Sequence, residues 1–177
     1  MASTWTCIAL VGLMGSGKST VGRSLASELR LPFFDIDQLV EQSTGESIAT
    51  IFRDHGEPAF RRVERDIALE LLGRAERKVV AFGGGTILDS SVDARCMHDD
   101  IWVHYLHATP ATCAARLSRD VASRPLLVGN DLQTTLAALY RDRDPCYRRH
   151  GAFVETDGRS VDEITTALAH KIAPRAT

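Results

Sequence analysis

The stretch Gly12-Leu13-Met14-Gly15-Ser16-Gly17-Lys18-Ser19-Thr20 constrains this chain more than any other part of it. It fits G-x-x-x-x-G-K-[ST], a phosphate-binding loop. Glycines at 12, 15 and 17 let the backbone turn tightly, so that successive N–H groups from Gly15 to Thr20 converge on an anion. Lys18 sets a compact positive charge against the β- and γ-phosphates, and the Ser19 hydroxyl can ligate Mg²⁺. Context supports the motif. Cys7 to Val11 is a short apolar run that reads as a buried strand, and Val21, Leu25, Ala26 and Leu29 are spaced for one face of a helix. A glycine-rich turn that binds nothing is the plain alternative. Strand, loop and helix in this order, however, put the positive end of the helix under the phosphates. The sequence therefore implies a nucleoside triphosphate site.

At 177 residues the chain is expected to be a single domain over 1–177. A net charge of −2 argues against a general nucleic-acid binder or a membrane-surface binder, both of which are normally basic. Of the 21 basic residues only Lys18, Lys78 and Lys171 are lysines; the arginines suit planar carboxylates and phosphates. Cys7, Cys96, Cys113 and Cys146 share no C-x-x-C spacing, and the six histidines form no ligand spacing. Neither a zinc site nor a disulfide framework is expected, which fits a reducing cytosol. Met1 to Trp5 lead straight into the first strand, and no apolar run is long enough to span a membrane. The expectation is a cytoplasmic protein, although a processed organellar enzyme would read the same.

Strands are expected at Leu31–Asp37, Lys78–Phe82, Ile101–Leu106 and Gly151–Thr156, in addition to the first. Between them lie a helical insertion over about 38–73, a weakly amphipathic helix over Ser91–His98 and a helix capped by Thr109-Pro110. A polar lid spans about 119–131, and a helix over Leu132–Arg149 turns Leu136, Leu139 and Tyr140 inward. A final helix opens on the capping box Ser160 to Glu163. Strands alternating with helices predict an α/β three-layer sandwich around a five-stranded parallel sheet, a small P-loop kinase architecture.

A guanine-nucleotide switch is disfavoured because no N-K-x-D stretch is present. A motor or transporter ATPase is disfavoured because the strand at Lys78–Phe82 ends without an acid and runs into Gly83-Gly84-Gly85. Several separated motifs then follow in one order. They are Gly12 to Arg23, Phe33-Phe34-Asp35-Ile36-Asp37, Phe60-Arg61-Arg62-Val63-Glu64, the triglycine, Arg124-Pro125-Leu126-Leu127, and Tyr147-Arg148-Arg149. In these the chain resembles the shikimate kinases, within the nucleoside-monophosphate-kinase-like group, from Leu10 to about Asp157.

The resemblance implies ATP- and Mg²⁺-dependent phosphorylation of the 3-hydroxyl of shikimate by a monomer whose only partners are its small-molecule substrates. It implies that Arg61 and Arg148 hold the substrate carboxylate and that Gly83, Gly84 and Gly85 complete the pocket. Asp37 would orient the attacking hydroxyl and take its proton, and Glu64 would pair with Arg61 and fix its rotamer. Ser19 and Asp35 would hold the metal, Arg124 would close over the phosphates, and Arg116 would stack on adenine opposite a wall near Asp157 to Ser160. That wall lacks the proline usual in the family. Two other readings stay open at this point: a kinase for another hydroxy acid such as gluconate, and a ligand-binding relative without catalysis.

Overall fold

The computed structural model describes residues 5–118, 125–127, 131–150 and 152–172. Five strands, β1 (Cys7–Val11), β2 (Phe33–Asp35), β3 (Lys78–Ala81), β4 (Ile101–His107) and β5 (Ala152–Glu155), form one sheet. Its order is β2-β3-β1-β4-β5, and every pairing is parallel. The helices are α1 (Lys18–Leu29), α2 (Ile36–Thr44), α3 (Ile48–His55), α4 (Glu57–Gly73), α5 (Ser90–Cys96), α6 (Pro110–Leu117), α7 (Leu132–Arg149) and α8 (Val161–Ile172).

The central strand shows why the sheet needs two helical layers. All five residues of β1 are buried, and alternate side chains go to opposite faces. Cys7, Ala9 and Val11 join a core with residues of α2, α3, α4 and α5 and with Tyr147 of α7. Ile8 and Leu10 join another with Val21 and Leu25 of α1 and Ile164 and Leu168 of α8. A third, smaller cluster ties Leu13 of the phosphate loop to Cys113, Ala114 and Leu117 of α6 and to Leu136 of α7.

Local caps set several boundaries. The Thr109 hydroxyl accepts from the Thr112 N–H at 3.3 Å, with Pro110 opening α6. Glu163 and Ser160 bond reciprocally at the start of α8: the Ser160 N–H donates to Glu163 Oε2 at 2.7 Å, and the Glu163 N–H donates to Ser160 Oγ at 3.2 Å. The insertion over 38–73 folds as the rest of α2 followed by α3 and α4, broken near Gly45 and Gly56. The helix expected over Ser91–His98 runs over Ser90–Cys96, because the Asp89 carboxylate caps it by accepting from the Ser91 and Val92 N–H groups. Among the described residues, no helix is long and apolar enough to cross a membrane.

Candidate active site

The carboxyl ends of β1, β2 and β3 open onto one cavity of about 600 Å³, where ligands of parallel sheets gather. Its wall at one end is the phosphate loop, with Gly15, Ser16, Gly17, Lys18, Ser19 and Thr20 all lining it. Gly12 closes the turn behind them at a φ of 145°, and a Cβ there would stand 2.5 Å from the Leu106 carbonyl oxygen, so no other residue fits. Lys18 is 8% exposed and donates from Nζ to the Gly12 and Leu13 carbonyls at 2.9 and 3.0 Å. Ser16 Oγ is buried with no hydrogen-bond partner among the described residues, an orphan donor on the floor of an anion cradle.

Arg116 of α6 braces this end. Its Nη1 donates to the Gly15 and Ser16 carbonyls at 3.3 Å and to Thr156 Oγ1 at 3.2 Å, and Nη2 donates to the Thr156 carbonyl at 2.9 Å. It lines the cavity together with Arg159, Ser160 and Val161, which overlap the wall expected at Asp157 to Ser160. Pro125 and Leu126 line the cavity as well. Arg124, expected to close over the phosphates, lies outside the described residues.

Asp35 ends β2 and caps α2, its Oδ1 accepting from the Asp37 and Gln38 N–H groups at 3.1 and 3.5 Å. Both Asp35 and Asp37 face the cavity. The Ser19 hydroxyl and the Asp35 carboxylate, which line the same cavity, are hard oxygen donors, the chemistry that suits Mg²⁺.

The other end is assembled from distant segments. Arg61 of α4 donates from Nη1 to Glu64 Oε2 at 2.7 Å and from Nη2 to Glu57 Oε1 at 2.9 Å. Burial works against its charge, but Glu64 and Glu57 outweigh that and hold its pKa above the ordinary guanidinium value. Glu64 is 2% exposed, and its Oε1 accepts from Thr86 Oγ1 at 2.7 Å, so one carboxylate ties the Arg61 side chain to the turn after the triglycine. This is the Arg61–Glu64 pairing expected from the sequence. A Cβ on Gly85 would fall 2.5 Å from Arg61 Nη1, and one on Gly84 would fall 3.2 Å from Arg143 Nη1. Two guanidinium groups therefore flank two adjacent glycines. The Tyr147 hydroxyl donates to the Gly84 carbonyl, and its burial raises its pKa, so it stays a donor. Gly84 and Gly85 line the cavity; Gly83 lies behind them against Glu64 and Asp37.

One expected residue needs correction. Arg148 does not line the cavity. It is half exposed on the outer side of α7, donating from Nε to Asp144 at 2.6 Å and lying over the Phe153 ring at 5.2 Å. The α7 arginine that lines the cavity is Arg143, only 7% exposed. Helix periodicity accounts for the difference. At 3.6 residues per turn, Arg143 and Tyr147 lie within about 20° of Leu136 around the helix, whereas Arg148 lies about 120° away. The inward stripe begun at Leu136 was the signal that could have found Arg143.

Among the described residues, five cations, Lys18, Arg61, Arg116, Arg143 and Arg159, line the cavity against three carboxylates, Asp35, Asp37 and Glu64. A net-negative chain thus concentrates positive charge where anionic ligands would enter.

A family model described as shikimate kinase matches residues 14–173. A shikimate kinase from Thermus thermophilus is 39% identical over 167 residues, covering 94% of this chain and 90% of the relative. The structure of a shikimate kinase from Acinetobacter baumannii in complex with shikimate superposes with a TM-score of 0.91. It is 35% identical and covers 97% of this chain and 95% of the other. A gluconokinase from Sinorhizobium meliloti covers 100% of both chains, but at a TM-score of 0.59 and 19% identity it shares the fold alone. By profile, by sequence and by structure, the chain belongs to the shikimate kinase family.

Proposed function

We propose that this protein transfers the γ-phosphoryl group of ATP to the 3-hydroxyl of shikimate, giving shikimate 3-phosphate and ADP. The observation that carries this reading is the single cavity with a phosphate loop at one end and, at the other, two guanidinium groups flanking Gly84 and Gly85. Arg61 and Arg143 hold the substrate carboxylate through paired charged donors, in place of the Arg61 and Arg148 fork expected from the sequence. Glu64 holds Arg61, and Tyr147 holds the Gly84 backbone against Arg143.

Asp37 accepts a hydrogen bond from the attacking hydroxyl. The hydroxyl oxygen bonds to the γ-phosphorus, the bond to the ADP oxygen breaks, and the hydroxyl proton passes to Asp37. Lys18 turns from the loop carbonyls to the β- and γ-phosphates, joined by the loop N–H groups and Ser16 Oγ. Ser19 and Asp35 hold Mg²⁺, which supplies charge neutralisation on the phosphates when bound. Arg116 and the Arg159–Val161 segment bound the nucleobase end, and Arg124, next in sequence to the cavity-lining Pro125, neutralises the transferred group. Segment 38–73 is the part that closes within one domain, the lid expected over about 119–131 lies largely outside the described residues, and the protein acts as a cytoplasmic monomer.

Coupled ADP release with shikimate, gluconate or buffer, each with Mg²⁺, tests the assignment. Turnover with shikimate alone is expected. Turnover with gluconate alone would keep the phosphate chemistry and overturn the acceptor pocket.

A further inference from the structure

We propose that Asp93, Cys146 and His150 form a binding site for a divalent transition-metal ion of the zinc type, separate from the cavity above. One ligand atom from each of the three residues lies within 4.8 Å of the others. Cys146 and His150 are four residues apart at the end of α7 and so share one face, and Asp93 reaches them from the first turn of α5. Sulfur, imidazole nitrogen and carboxylate oxygen together are a donor set that zinc takes, and three protein ligands leave a fourth position for water.

The site already holds a positive group between two of its members. Arg149 Nη2 lies 2.6 Å from Asp93 Oδ1 and 3.7 Å from Cys146 Sγ, and His150 Nε2 lies 2.6 Å from the same Asp93 oxygen. The Arg149 side chain is 54% exposed and can swing into water, whereas His150 is 1% exposed and held in place. Arg149 thus acts as a removable stand-in for a cation. Opening the His150–Asp93 contact to the roughly 3.3 Å edge of a tetrahedron around zinc takes only a side-chain adjustment. Arg149 and His150 also line a second cavity of about 470 Å³.

The competing account is that these groups make an ion-pair clamp and nothing more. Two titrations of the whole protein, with Mg²⁺ present throughout, separate the accounts. Zn²⁺ is measured by competition with a chromophoric chelator, and Cd²⁺ by its thiolate charge-transfer band. One equivalent bound with a thiolate band is expected. Cys146→Ser should abolish the band and weaken Zn²⁺ binding by about 100-fold or more, at least the loss seen when an outer partner of a metal ligand is changed. Arg149→Gln, which removes the competing cation, should tighten Zn²⁺ binding by about tenfold, a gain that misfolding cannot mimic. No thiolate band in the parent protein would overturn the proposal. So would unchanged Zn²⁺ affinity in Cys146→Ser, or unchanged affinity in Arg149→Gln.

Discussion

The two ends of the cavity are built on different plans. The phosphate end is nearly all one segment: nine consecutive residues, Gly12 to Thr20, running from the end of β1 into the first turn of α1, supply the turn, the N–H groups, the cation and the hydroxyl. The acceptor end is gathered from Asp37 on α2, Arg61 and Glu64 on α4, Gly84 and Gly85 after β3, and Arg143 and Tyr147 on α7. Backbone groups do most of the work at the first end, and side chains held by other side chains do it at the second. The phosphate end should therefore lose rate when its one cation is removed. The acceptor end should lose affinity in proportion to how directly each side chain meets the substrate.

The largest effect tests the first plan. Lys18→Ala should lower kcat by roughly 10²–10³, as when one preorganised donor to developing charge is lost, with little change in the shikimate KM. Single-turnover phosphoryl transfer measures it. An effect confined to the shikimate KM would mean that the two ends are not separable.

Next comes the pair on α7. Arg143→Ala should raise the shikimate KM by about 10- to 100-fold, as expected for the loss of charged hydrogen bonds worth about 1.5–3 kcal/mol. Arg143→Lys, which keeps the charge but not the planar fork, should fall between. Arg148→Ala should leave the KM within about twofold, because its partners are Asp144 and the Phe153 ring on the outer face. The reverse ranking in steady-state kinetics would restore Arg148 to the pocket.

This pair also shows what the sequence could and could not disclose. The phosphate loop was legible because its chemistry is contiguous, and so were the five strands of a parallel sheet and the caps at Thr109 and Ser160. The Arg61–Glu64 pair was legible because residues three apart on a helix meet. Arg143 was not, because Arg148 sits in the more conspicuous Tyr-Arg-Arg motif and only the helical phase from Leu136 separates them. For Arg116 the resemblance implies stacking on adenine, whereas its bonds to the Gly15 and Ser16 carbonyls depend on how α6 docks against the loop. The Asp93–Cys146–His150 cluster joins two helices distant in sequence, so spacing rules that search one segment pass over it.

A smaller effect probes how the acceptor end is held. Glu64→Gln keeps the shape of the side chain but removes the charge that fixes Arg61 and accepts from Thr86. The shikimate KM should rise about tenfold, in the range for a hydrogen bond to a charged group, while kcat changes little. A purely structural role would instead lower the melting temperature and leave the KM alone, so both are measured on the same preparation.

The smallest expected effect lies at the far edge of the sheet. Asp100 precedes β4 at its amino end, away from the cavity, and Arg95 donates to both its oxygens at 2.8 and 2.6 Å. The Arg95 guanidinium holds the Asp100 pKa down to about 2, below the roughly 3.9 of an unfolded aspartate. Because the folded value is the lower one, the ionised carboxylate stabilises the fold above about pH 4, and that contribution disappears as the pH falls from about 4 toward 2. Asp100→Asn should therefore lower Tm by about 2 °C at pH 7, a modest loss because the pair is partly solvated, and the gap to the parent should close across that acid window. Neither KM nor kcat should move. A change in shikimate KM would mean that the amino edge of the sheet is coupled to the acceptor end through α5, and the division of the molecule into two independently built ends would fail there.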